Sequence, residues 1–466
     1  MFLQLHPIIS ILSYITIGWL IFFTFLKILQ ITYGQVLLDF LNSISVHIQL
    51  FSLNWSTTQL NAPLKRLSTR FDRFWHHWYR VGNTIVILLV PLALLSLIYN
   101  LFILLSQRST NNAIITPIVP GVNFPTSHLA YLILSFIFSA IIHEAGHAIC
   151  FLNLNRRINE VGIHMFFIFP SAYVNINAED LKRIAHGMKL RVFTAGVWHN
   201  IVLSLVIYLL MPLTPYALMP LYHYSTKELY INNIPKESLL HGSVKVGDRV
   251  LAVGDCTVTD ANSYFQCIDI TWNQPNSYCL PIGFKDCVDT TQNIRACIEH
   301  EQLFHMKPCA NSSTCGAMDK KCTSLAPSRM FNLILESHGN DYKGKEELPF
   351  IGTAQELWDS FSTSHYRARW SWIQSVDLHY FFMTLQNFII AVSLGLAMLN
   401  MLPIGGLDGH FIMTSLLHLA VTHHYPAMPV ERQEALRDSI YSHISLGSTI
   451  LLGVNLLISF YFIIAK

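Results

Sequence analysis

The chain has 466 residues, 52% of them hydrophobic and 12% charged, about half the charged share of an ordinary soluble domain. That composition belongs to a membrane protein and argues against a soluble globular enzyme. A formal net charge of +2, with no lysine- or arginine-rich run, excludes a nucleic-acid partner and leaves the lipid bilayer as the surrounding to expect.

A membrane-crossing helix needs about 20 apolar residues. Ile8 to Ile31 meets that requirement and is broken only by Lys27 near its end. No basic segment precedes it and no small-residue cleavage site follows, so it reads as a retained span rather than a signal peptide. The loop behind it carries Lys65, Arg66, Arg70, Arg73 and Arg80. Thr84 to Leu105 is a second span, followed by a loop holding Arg108 alone. The third, Leu129 to Leu152, contains the sequence HEAGH. Val161 to Ile176 is apolar but short, with a Phe169-Pro170 break, and reads as a re-entrant hairpin. Val192 to Leu213 is a fourth span; a polar interval from about Tyr216 to Val376 separates it from Tyr380 to Leu402 and Ile444 to Ala465. The expected fold class is thus a polytopic α-helical membrane protein with about six full spans plus re-entrant or partial segments. Its expected division is 1–82 for the first span and basic loop, 83–215 for the first half of the membrane core, 216–376 for the polar domain and 377–466 for the second half.

Basic residues favour the cytoplasmic side of short loops. The loop from Lys65 to Arg80 is therefore cytoplasmic, and alternation puts the end of the HEAGH span near the cytoplasm, together with Arg156, Arg157, Lys182, Arg183, Lys189 and Arg191. The polar interval then lies in the lumen or outside. Cysteine usage agrees: Cys256, Cys267, Cys279, Cys287, Cys297, Cys309, Cys315 and Cys322 all fall within it. An even set in a non-cytoplasmic domain reads as a disulfide framework whose connectivity stays open, and the C-x2-C knuckles of a zinc ribbon are missing. Asn311-Ser312-Ser313 is a glycosylation acceptor there, whereas Asn54-Trp55-Ser56 is expected to be inert on the cytoplasmic side. These signals together point to a multi-pass protein of the secretory pathway.

HEAGH spans His143 to His147. Residues four apart share one helical face, so both imidazoles address one ion, and Glu144 sits about 100° round, within reach of water there. Zinc, one ion per chain, is the natural metal, because neutral imidazole suits it and hydrolysis needs no redox change. It brings the pKa of a held water to about 7 and polarises a carbonyl, while Glu144 takes the proton and returns it to the leaving amine. That chemistry is peptide hydrolysis. Such polar groups are costly in a bilayer unless they pair, bind metal or face water, and the alternative is a hydrogen-bonded cluster that packs helices.

A mononuclear site wants a third protein ligand. Asp408 is the best candidate, a lone carboxylate in the run Asn400-Met401-Leu402-Pro403-Ile404-Gly405-Gly406-Leu407-Asp408-Gly409. Proline and glycines there break a span, and unwound backbone at membrane depth is tolerated where protein buries it or where it lines a cavity. Cys150 competes with it, seven residues after His143 on the same face, although a buried apolar cysteine is the commoner reading there. His76, His77, His199, His410, His423 and His424 read as interfacial or structural. Two rival functions remain open at this level. A di-iron desaturase or hydroxylase needs H-x2-HH boxes, and Arg73 and Ala420 stand where His76-His77 and His423-His424 would require histidine. A transporter or an inactive protease-like protein would use the same polar residues for ions or clients.

HEAGH within a span, a distant Leu407-Asp408-Gly409 and a cysteine-rich insert between them resemble the site-2 protease family of intramembrane metalloproteases. The segment from Gly196 to Asn200, a G-x-x-x-N pattern, strengthens the likeness. The resemblance implies His143, His147 and Asp408 as zinc ligands and Glu144 as catalytic acid/base, with Asn200 and Asn400 as substrate-positioning residues. It also implies a PDZ-like module in the insert, where Glu237 to Asp255 follows a pattern of small helix, Gly-Asp turn and strand. By the same resemblance, the substrates are single-span membrane proteins. They are transcription factor precursors already trimmed by a first protease, and the location is the Golgi or endoplasmic reticulum. Cleavage inside a helix requires local unwinding, and edge pairing with Val161 to Ile176 is the expected way to hold the unwound strand.

Overall fold

Long apolar runs without breakers become long helices. The computed structural model describes residues 2–464 apart from 111, 120, 168, 275–276, 282–308, 310–314, 316–319, 325–328, 340–341, 371–372 and 374–376. Its long helices are α1 (Phe2–Tyr33), α2 (Asp72–Gln107), α3 (Leu129–Asn153), α4 (His186–Leu210), α5 (Leu378–Met401), α6 (Asp408–His424) and α7 (Val430–Ile464). Among the described residues, six helical stretches, within all of these but α6, are long and apolar enough to cross a membrane, which matches the expected number. The 17-residue α6 is too short to join them and begins at Asp408 itself. Two units result: Met1–Pro212 with Met383–Lys466, and Leu213–Phe382.

In the first unit α4 is the central packing element, because its two sides are both apolar. Leu190, Phe193 and Val197 pack with Val86, Val90 and Leu97 of α2 and with Met401, Leu402 and Ile412. Val192 and Ala195 turn the other way, toward Ala148, Phe151 and Leu152 of α3. A polar clamp joins α2 to α7: the buried Asn100 Nδ2 donates to Asn455 Oδ1 at 2.9 Å, and Asn100 Oδ1 accepts from Ile114 and Ile115 N–H at 2.7 and 3.0 Å. Amides in an apolar interior need such partners, since an unpaired one costs about 1–3 kcal/mol.

The loop between α1 and α2, expected only as a basic connector, also supplies two strands. β1 (Val46–Gln49) and β2 (Ser52–Thr57) form a hairpin, as do β3 (Ile158–Phe166) and β4 (Phe169–Ile176). The four pair antiparallel in the order β1-β2-β3-β4, with Ser52 opposite Phe166 and Thr57 opposite Val161. Val161 to Ile176 is thus a hairpin. Its turn precedes the expected Phe-Pro break, and Pro170 stands inside β4, opposite Met165. Proline is confined to outer strands in this way, because it offers no ladder donor. The two hairpin tips meet where Phe167 N–H donates to Phe51 C=O at 2.7 Å, and the α1 indole of Trp19 donates to Phe167 C=O at 2.9 Å.

The second unit is built on a six-stranded antiparallel sheet. Tyr342–Gly352, Arg329–Gly339, Arg249–Val253, Leu229–Asn233 and Ser362–Ser364 follow in that spatial order, with Cys256–Thr257 beside Arg249–Val253. A helix, Ala261–Trp272, is started by a capping box of Asp260 and Ser263 and packs on this sheet through Tyr264 and Ile268. The small helix expected after Glu237 is instead a pair of turns, because Gly242 takes a left-handed φ of 92° that interrupts a helix, whereas the Gly247-Asp248 turn does lead into a strand. Disulfides join Cys256 to Cys267, Cys279 to Cys315 and Cys309 to Cys322. Cys287, Cys297 and Asn311 lie outside the described residues.

Candidate metal centre

The fourfold spacing on α3 turns His143 and His147 to one buried side, where each ring is 7% exposed. Their outer nitrogens are held from behind. His147 Nδ1 lies 2.7 Å from the Val192 carbonyl of α4. A carbonyl only accepts, so Nδ1 carries the proton and Nε2 presents a lone pair. On the other ring, the Asn200 amide is 3.2 Å from His143 Nδ1, and Asn200 Oδ1 is buried with no partner. Turning that amide by half a turn lets Oδ1 accept a proton from His143 Nδ1, which satisfies both groups and points the Nε2 lone pair inward.

The third group arrives from far along the chain. α5 stops at Met401, and a turn through Pro403, Gly405 and Gly406 reverses direction before α6 starts with Asp408. Gly406 has φ 89°, a left-handed conformation suited to glycine. Gly409 lies so close to the Leu402 carbonyl that a side chain there has no room. The turn carries Asp408 Oδ2 to 2.9 Å from His143 Nε2 and 3.2 Å from His147 Nε2, and the two Nε2 atoms are 3.1 Å apart.

Three unprotonated acceptors this close repel unless a cation lies among them. Tetrahedral ligands at about 2.0–2.1 Å from zinc stand roughly 3.3 Å from one another, close to the edges of this triangle. Asp408 Oδ2 also counts among the buried atoms with no hydrogen-bond donor. The set therefore fits a divalent metal, and it leaves one tetrahedral position to water or substrate.

Glycine makes space for the centre. A Cβ at Gly196 would press on His147 Nε2 and lie 2.6 Å from His143 Nε2, and one at Gly146 would lie 2.7 Å from the Ala195 carbonyl. The two glycines let α3 and α4 cross with the imidazoles between them. Glu144, next round the helix, is half-buried, and its Oε2 accepts from Val174 N–H of β4 at 3.0 Å.

The competing cysteine takes another place. Cys150 is buried in the core, and its thiol donates to the Arg191 carbonyl at 3.4 Å. His199 accepts from the Trp78 indole at 3.3 Å and stacks on Tyr79, His77 meets the Arg73 carbonyl, His76 meets Arg80 and His410 meets the Tyr441 hydroxyl. Asn400 is half-buried in the last turn of α5. Cys279, Cys309 and Cys315 also cluster, and the disulfides to Cys315 and Cys322 account for it. Three contributors escaped sequence reading. Gly196 stood in a motif without a stated role, whereas Val192 and Val174 act through main-chain atoms that every residue type except proline offers alike.

A helical membrane core with two histidines and an acid at i, i+1 and i+4, completed by a distant aspartate, defines a class of polytopic metallopeptidases. The sequence pattern of Peptidase family M50 matches residues 131–432, and the chain belongs to this family, the site-2 proteases. A membrane-bound transcription factor site-2 protease homolog of Arabidopsis thaliana is 22% identical over 283 residues, covering 55% of this chain and 54% of that protein. The chain thus spans about half the length of this relative.

Proposed function

We propose that this chain is a zinc endopeptidase that cuts a peptide bond within or near the transmembrane helix of a single-span substrate. The observation that carries this reading is the convergence of His143, His147 and Asp408 beside Glu144, on a helix apolar enough to span a membrane. Zinc at the three ligands would supply Lewis acidity toward water and the scissile carbonyl. This chain's own residues do the rest. Val192 and Asn200 hold the imidazoles in the tautomer that offers Nε2. Glu144 accepts the proton of the attacking water and delivers it to the leaving amine, so that one peptide bond and one water become a carboxylic acid and an amine.

The outer strand β4 supports a second element of the reading. An unwound substrate segment needs backbone partners in lipid, and an open strand edge beside the catalytic acid provides them. The disulfide-bonded unit Leu213–Phe382 we read as a lumenal, PDZ-like domain, with the metal centre toward the cytoplasm and the protein in the Golgi or endoplasmic reticulum. Substrates in this reading are membrane-bound transcription factors, which the name of the Arabidopsis relative mentions, and they arrive already trimmed by a first protease.

The test uses purified full-length protein with a single-span substrate and measures cleavage and bound metal together. Glu144→Gln is expected to lower the rate by about 10²–10⁴-fold with zinc still bound at one ion per chain. Unchanged cleavage in that variant would sink the proposal.

A further inference from the structure

Glu144 does not stand free. Its Oε2 accepts the Val174 N–H at 3.0 Å, and that donor belongs to the outer strand of the sheet, β4. In an antiparallel strand, N–H and C=O of one residue point to the same side, and the side alternates along the chain. Since Val174 N–H points away from β3, Ala172 shares its open side, and so does Pro170, which carries no N–H. Among the described residues no strand pairs with β4 on this side. The edge therefore offers a short ladder: the Ala172 N–H and C=O and the Val174 C=O, with the Val174 N–H already engaged by the catalytic carboxylate.

We infer that the Val174 amide is a latch: it holds Glu144 in a resting position, and a substrate strand that pairs with β4 takes over this donor and releases the carboxylate for proton transfer. The exchange is one hydrogen bond for another. A carbonyl of the substrate replaces Glu144 Oε2 on the Val174 N–H, and Glu144 Oε2 becomes the acceptor for the attacking water. Pro170 sets the ladder's end, because pairing past Ala172 finds no donor at position 170. Only a segment already drawn out into a strand frees the acid, so an intact helix passing the site meets a base that is occupied. Val174 is then a positioning residue that acts through Glu144. This inference rests on the peptidase reading above.

The experiment uses the full-length protein with two substrates: a single-span membrane protein, and a short soluble peptide carrying the same cleavage sequence but too short to pair along β4. Val174→Pro removes the donor at a position whose N–H takes no part in the β3 ladder. An amide-to-ester replacement at residue 174 removes it with the side chain kept, which covers the case where proline disturbs the strand. Both variants are expected to cleave the short peptide about 10–100-fold faster than wild type, as loss of one hydrogen bond to a carboxylate implies. Neither should gain on the membrane substrate, which loses a pairing donor. Ala172→Pro, which removes a pairing donor and leaves the latch, slows the membrane substrate without accelerating the peptide. A readout apart from turnover is the rate at which a hydrophobic carbodiimide modifies Glu144 in metal-free protein, followed by mass spectrometry; it rises in both 174 variants. If the peptide rate and the Glu144 modification rate match wild type in a folded ester variant, the latch is wrong while the peptidase reading stands. If wild type cleaves neither substrate, or a chelator leaves cleavage untouched, the peptidase reading fails and the latch with it.

Discussion

Replacing Gly196 with alanine puts a methyl group against the two nitrogens that face Asp408. The change leaves every ligand in place, yet it fills the space a cation would need. Gly196→Ala is therefore expected to lose bound zinc and cleavage together, with helical content retained; metal analysis beside circular dichroism checks it, and full zinc occupancy would contradict the geometry. Asn200→Ala acts more gently. It removes the acceptor that orients His143, and such outer partners are worth about 10–100-fold in metal affinity, measurable by competition with a chromophoric chelator. Ligand types at HEAGH were legible because spacing on one helix is a local property. The roles of Gly196 and Asn200 depend on how α4 crosses α3, which neither helix encodes alone.

Helices and strands carry a different part of the design. α2 and α7 are far apart in sequence, and Asn100 joins them while also serving the main chain of Ile114 and Ile115. Deleting Asn100 orphans several groups, whereas deleting Asn455 leaves Asn100 most of its partners. Asn100→Leu should thus cost about 1–3 kcal/mol, and Asn455→Leu less, nearer the average of about 0.6 kcal/mol for hydrogen bonds between membrane helices. Denaturant unfolding in bicelles gives the order; equal losses would contradict it. The sheet was only partly legible. The hairpin at Val161 to Ile176 showed itself by its shortness and its proline. β1 and β2 did not, because four- and six-residue strands between a span and a basic segment have no periodicity long enough to read.

For the molecule as a whole, sidedness is the property that a glycan reports. The proposed lumenal placement of the disulfide-bonded unit predicts that Asn311 carries a glycan that an endoglycosidase removes, with the mobility shift abolished in Asn311→Gln. Asn54 lies within β2, between His47 and His164 of the neighbouring strands, and on the opposite side of the membrane it should stay unmodified. An unglycosylated Asn311 in protein recovered from secretory membranes would reverse the assigned orientation.

The number of membrane-length helices, the histidine face of α3 and the acid beside it are written in the amino-acid pattern. These follow from hydrophobicity and a 3.6-residue period, both of which act over one helix. The broken span after Asn400 also put Asp408 ahead of Cys150 as the candidate third ligand. The tertiary structure then sets the two candidates apart in space: the chain turns at Gly406 so that Asp408 reaches both imidazoles, while Cys150 faces the Arg191 carbonyl. It alone shows that Val192 meets His147 and Val174 meets Glu144 through main-chain atoms. Main-chain N–H and C=O groups are nearly the same in every residue, so what they touch is decided by the packing of distant segments and not by the letters that carry them.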